Sequence, residues 1–180
     1  EKYGLKDTDL LQSGYIGPSI GKEIQSKAVV SVIIASIFML IYISFRFKFT
    51  FGISAIIALV HDVLIVIAIY AIFRVPVNSP FVAAILTVVG YSINDTIVVF
   101  DRIRENAKLH PKMDKMTLAD VSIRQTVTRS INTSVTTLLS ILMLYILGVD
   151  SIKEFTFPLL VGILSGTYSS IFIASPLWVL

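Results

Sequence analysis

Two carboxylates and one guanidinium stand where hydrocarbon should be. Asp62 interrupts an apolar run at its middle, Asp95 lies deep in a second, and Arg129 opens a third. A charged group at that depth costs roughly 2.5 to 3.5 kcal/mol on insertion scales, and intramembrane carboxylates usually mark ion or proton pathways. At helical spacing, Thr87, Tyr91, Asn94, Asp95 and Val98 share one face, and Arg129, Thr133, Thr136, Thr137 and Ser140 share another. Two polar stripes of opposite charge are expected to face each other, with Tyr91, Asn94, Thr133, Thr136 and Thr137 lining the space between. A carboxylate there can hold a proton while isolated and release it when Arg129 approaches, which would make Asp95 and Arg129 a two-state switch. The same pair could instead be a structural lock between helices, although buried ion pairs contribute little net stability. Asp62 is a weaker candidate for proton transport. His61 beside it is either a proton relay or a neutral interhelical hydrogen-bond donor.

The elements that must position these groups follow from composition. The chain has 180 residues, of which 55% are hydrophobic and 15% charged. Soluble domains carry about 25% charged residues, so the excess apolar content points to a membrane. The fold class expected is all-α, a multi-pass transmembrane bundle. Cysteine is absent, which excludes disulfides, thiolate metal sites and cysteine nucleophiles. The sequence shows no phosphate-cradling glycine loop, no histidine pair at metal spacing and no nucleophile elbow. A membrane-embedded aspartyl protease would need Asp62 and Asp95 adjacent, yet the runs place them at different depths. No cofactor is expected beyond protons as the coupling ion.

Five spans are expected, at about 28–45, 51–73, 80–100, 131–149 and 155–177, the third running on into water through Asn106. Residues 1–27 are mixed polar and glycine-punctuated, a juxtamembrane segment in which Tyr15 to Glu23 turns into a helix start. It reads as the end of a domain outside the membrane. The stretch 101–130 is expected as a basic loop, broken by Pro111, with an amphipathic helix at 117–127 lying near the surface. The last span carries Gly162-Ile163-Leu164-Ser165-Gly166, a small-residue motif that lets helices approach closely. Arg46, Lys48 and seven basic residues in 101–130 lie on one side of the membrane, against Arg74 and Lys153 in the opposing short loops. The excess of Lys and Arg marks the cytoplasmic face. Residues 1–27 are therefore expected outside, and the 101–130 loop and the C-terminus in the cytoplasm. That topology accounts for the basic loop without nucleic acid.

Gly90-Tyr91-Ser92-Ile93-Asn94-Asp95-Thr96-Ile97-Val98-Val99-Phe100-Asp101-Arg102-Ile103-Arg104-Glu105-Asn106 resembles the signature of the SecF family of protein-export membrane subunits. Four further stretches agree: Ile16 to Glu23, Leu59 to Ile65 around His61-Asp62, Arg129-Ser130-Ile131-Asn132-Thr133-Ser134, and the glycine-rich last span. The resemblance runs from about residue 15 to the end. It places the chain among the resistance-nodulation-division transporters, in the SecF part of a SecD–SecF pair or the second half of a SecDF fusion. It implies proton-motive force driving late, ATP-independent protein translocation beside the SecYEG channel. YajC, YidC, unfolded preprotein and membrane lipid would be further partners, in the cytoplasmic (inner) membrane. By the same resemblance Asp95 and Arg129 match the family's proton-transport pair, and no hydrolase activity is implied. A translocon accessory that only stabilises the assembly is the alternative. The family's first helix and the periplasmic domain that should precede residue 15 are not in this sequence, nor is SecD.

Overall fold

The computed structural model describes residues 18–46 and 49–180, and every described element is helical. The turn residues Gly14 and Gly17, and most of the segment 1–27 expected outside the membrane, lie beyond the described residues. The helices are α1 (Pro18–Arg46), α2 (Phe49–Phe73), α3 (Ser79–Leu109), α4 (Lys115–Leu147), α5 (Asp150–Ser169), a π-helical turn (Ser170–Ala174) and α6 (Ser175–Val179). The last three run on as one rod, Asp150–Val179. Pro176 cannot donate an N–H, and the wider turn just before it accommodates the break in the ladder. The rod, α2, α3 and α4 are each long and apolar enough to cross a membrane, whereas the apolar part of α1, Val29–Tyr42, is shorter. The chain is thus a multi-pass membrane helical protein.

The main difference from the sequence reading lies at 101–130. Only residues 110–114 lie between helices, because α3 continues to Leu109 and α4 starts at Lys115. At 1.5 Å per residue these helices are about 47 and 50 Å long, well beyond the roughly 30 Å hydrocarbon layer. Their ends project together as a two-helix stalk. The amphipathic 117–127 stretch is the beginning of α4 rather than a separate surface helix. Its buried side, Leu118, Ala119, Ser122 and Thr126, packs inward, and the buried amide of Asn106 donates to Ser122 Oγ and Gln125 Oε1, both at 2.8 Å. Apolar periodicity located the helix correctly, but the charges on its outer face looked like a loop.

Local capping explains where the helices begin. Asn78 accepts from the Phe81 amide at 3.0 Å, and Pro80 sits in the first turn of α3, where its missing N–H is harmless. Asp114 accepts from the Thr117 amide at 2.9 Å and starts α4. That bond holds the Asp114 carboxyl below its ordinary range. A carboxylate with a lowered folded-state pKa stabilises above its unfolded pKa, near 3.9, and loses that contribution as pH falls through the folded value. Asp114→Ala should therefore lower the thermal midpoint by a constant amount above about pH 5, with the gap to wild type closing below about pH 4.

The core forms around α5. A Cβ at Gly162 would fall on the Val88 side chain of α3, and one at Gly166 would lie 2.9 Å from Ser92 Cβ. Glycine at these two positions is what lets α3 and α5 touch backbone to backbone. Buried Ala84, Val88, Ile141, Leu159 and Ile163 join α3, α4 and α5. Near the stalk, Phe51 stacks on Trp178 and meets Phe100 edge-on. At the opposite end Tyr70, Phe81 and Phe157 cluster.

Candidate proton site

Close packing of α2, α3 and α5 brings hydroxyls onto the first carboxylate. Asp62 is fully buried. It accepts Ser92 Oγ of α3 at 2.5 Å and Ser165 and Ser169 Oγ of α5 at 2.7 and 2.6 Å. Ser165 and Ser169 are one helical turn apart, so one face of α5 presents both. His61 Nδ1 lies 3.2 Å from Asp62 Oδ1. Its imidazole is one-third exposed and tilts against the Tyr168 ring at 6.5 Å. Asp62, the weaker candidate by sequence, thus accepts three hydroxyls where Asp95 accepts one.

Asp95 points the other way, into the α3–α4–α5 seam. It is 9% exposed and accepts Ser134 Oγ at 3.4 Å. Ser134 Oγ lies 2.6 Å from Thr167 Oγ1, whose hydroxyl donates to the Ile163 carbonyl at 2.8 Å. A cavity of about 20 Å³ opens beside it, enough for a single water. Tyr91, Asn94, Asp95, Thr133 and Thr137 line that cavity together with Ser92, Ser134 and Thr167. Four of the five expected lining residues are therefore present. Thr136 is not among them: it is exposed, and its hydroxyl donates back to Asn132 and Thr133 carbonyls.

Arg129 does not meet Asp95 at the same depth. Asp95 pairs with Ser134, five residues further along α4, which places Arg129 about 7.5 Å away along the helix axis. No ion pair joins them among the described residues. The offset arises because α4 enters the bundle already helical from Lys115, which sets its register against α3 through the Asn106–Ser122 bond. Arg129 instead lines a wide cleft of about 800 Å³ between the stalk ends of α3 and α4, with Ile97, Val98, Asp101, Arg104, Glu105 and Lys108. It stands between that cleft and the small cavity around Asp95. Asp62 and Asp95 share no hydrogen-bond partner, and each has its own hydroxyl set. That is not the shared-proton dyad of an aspartyl protease.

Ser92, Ser134, Ser165, Thr167 and Ser169 are the site residues that sequence reasoning missed. The signal was present in part. Ser165 and Ser169 repeat at four-residue spacing beside the small-residue motif, and Ser92 lies in the long motif three residues before Asp95.

Known proteins match this chain in sequence and in fold. The family model described as "Protein export membrane protein SecD/SecF, C-terminal" matches residues 2–180. Protein translocase subunit SecF of Alicyclobacillus acidocaldarius is 48% identical over 172 residues, covering 94% of this chain and 56% of that protein. Protein translocase subunit SecDF of Thermus thermophilus is 47% identical over 173 residues, 96% of this chain and 23% of that protein. The chain spans little more than half the length of the SecF relatives it matches. The crystal structure of SecDF from Thermus thermophilus, a translocon-associated membrane protein, superposes with a TM-score of 0.84 at 47% identity, covering 90% of this chain and 22% of that one. SecDF in its super-membrane-facing form gives a TM-score of 0.81 at 44% identity, over 93% of this chain and 22% of that one. Matched along nearly its whole length and alike in fold, the chain belongs to the SecD/SecF family of protein-export membrane proteins.

Proposed function

We propose that this chain is the membrane core of a SecF-type subunit that uses the proton-motive force to drive late, ATP-independent protein export. The observation that carries the reading is Asp95, buried in the seam beside a water-sized polar cavity, with Arg129 about a turn and a half away at the edge of an open cleft. A buried carboxylate with a cation near but not bound is arranged to change state rather than to lock helices. Protonated, Asp95 sits in the seam as a neutral acid; ionised, it draws Arg129 inward, which requires α4 to shift against α3. One charge moved through the full membrane potential is worth about 2.3 kcal/mol per 100 mV, enough to bias such a shift. The lack of an Asp95–Arg129 ion pair among the described residues supports a switch over a purely structural pair.

Partners follow from the surface. Tyr91, Asn94, Asn132, Thr133, Thr136 and Ser140 are exposed at membrane depth, where lipid cannot satisfy polar groups. A second membrane unit covers them, and SecD, fused or separate, is the partner of that chemistry. SecYEG, with YajC and YidC, would receive the motion on behalf of an unfolded preprotein. The setting is the cytoplasmic membrane, with the N-terminal segment outside and the stalk and C-terminus in the cytoplasm, as the basic residues of the stalk favour. In inverted vesicles carrying the full-length protein with SecD and SecYEG, Asp95→Asn should leave ATP-driven initiation intact. It should cut the gradient-driven completion of export at least tenfold. Unchanged completion by a folded, assembled variant would leave the scaffold reading in its place.

A further inference from the structure

Asp62 has no part in an Asp95–Arg129 switch, yet its surroundings are built for proton traffic. Its carboxylate is fully buried and meets three hydroxyls and one imidazole. One of the three hydroxyls differs from the others. Ser92 donates to Asp62 Oδ2 at 2.5 Å and also lines the water-sized cavity that Asp95 lines, whereas Ser165 and Ser169 do not line it. A water there has Asp95, Ser92, Ser134 and Thr167 as polar neighbours, the two to four partners that a buried water needs.

We infer that Asp62, Ser92 and one water in this cavity form an internal relay through which Asp95 and Asp62 exchange a single proton. This rests on the proton-coupled reading above and extends it to a second acceptor. The step balances without any other reactant. Asp95 gives its proton to the water, the water gives one of its own to Ser92 Oγ, and Ser92 passes its hydroxyl proton to Asp62 Oδ2. Asp95 ends ionised and Asp62 neutral, with water and serine unchanged. Among the described residues, the titratable groups facing Asp62 are His61 on α2 and, against the His61 ring, Tyr168 of α5, with Asp95 on α3 across the cavity that Ser92 lines; Tyr42 of α1 is exposed. His61, touching Asp62, is the next group able to take the proton from it.

The test compares two serines. Ser92→Ala and Ser165→Ala each delete one hydrogen bond to Asp62, but only the first removes a cavity-lining hydroxyl. With the full-length protein and its SecD partner in proteoliposomes, proton uptake under an imposed pH gradient is followed with a trapped pH-sensitive dye. The relay predicts that S92A falls at least fivefold below S165A, and that D62N falls as far as S92A. Equal uptake by S92A and S165A, or wild-type uptake by D62N, overturns it. If D95N lowers uptake while S92A and S165A behave alike, only the relay fails. If D95N itself conducts normally, both readings fail. Should S92A unfold, infrared difference spectra of the wild type decide: two protonated-carboxyl bands, one lost in D95N and one in D62N, support the relay, and a single band lost only in D95N overturns it.

Discussion

Leucine in place of Gly162 should leave almost no folded protein, and alanine should already destabilise it measurably. The glycine faces the Val88 side chain so closely that a single added Cβ would overlap it. Val88 is β-branched and fully buried, so it cannot swing aside. Overpacking of a filled core costs typically about 1–3 kcal/mol, and that range fits Gly162→Ala; the larger leucine would force α3 from α5 altogether. Because α5 also supplies Ser165 and Ser169 to Asp62, separation of the helices would remove the polar hub as well. The check is the thermal midpoint in detergent, with Val88→Ala added to make room. G162A alone should fall and G162A/V88A should recover part of the loss. A wild-type midpoint for G162A would mean that the helices are not packed as closely as described.

The second large effect is expected at Asp62→Ala. It strands three buried hydroxyl donors at once, and an unsatisfied buried donor costs about 1–3 kcal/mol. Two considerations moderate that figure. Hydrogen bonds between membrane helices average nearer 0.6 kcal/mol in double-mutant cycles, and Ser169 already lies 3.2 Å from the Gly166 carbonyl as an alternative acceptor. The combined loss should be about 2–3 kcal/mol. Asp62→Asn keeps one acceptor oxygen and should lose about half as much. Denaturation in mixed detergent micelles separates the two variants; an Asp62→Ala protein as stable as wild type would show that the serine hub contributes nothing to packing.

Much of this molecule is legible from its residues, for physical reasons that also mark the limits. Lipid allows no unsatisfied backbone, so apolar length alone located α2, α3, α4 and the α5–α6 rod. The difference at 101–130 came from the same rule reaching its limit. The helix through Asn106 and the one at 117–127 were both expected, but once the chain leaves lipid nothing in the charges says that they continue unbroken to Leu109 and into the fourth span. Only contacts such as Asn106 with Ser122 decide that, and those are tertiary. Asp95 was legible because a carboxylate in an apolar run is an anomaly. Its partner depth was not, because α3–α4 register depends on where α4 begins, and that start was hidden in the presumed loop. The hydroxyl set of Asp62 was hidden for another reason. A serine in an apolar helix most often bonds back to its own carbonyls, as Ser54 does to Thr50, so only the four-residue repeat beside the small-residue motif sets Ser165 and Ser169 apart from such residues.

On the proton-coupled reading Asp95 carries the proton that does the work, and proton uptake measures that role most directly. Full-length protein with its SecD partner, reconstituted with an imposed pH gradient, should take up protons at least tenfold faster than the same preparation carrying Asp95→Asn, with both showing the same thermal midpoint. Equal uptake by the two would contradict the account.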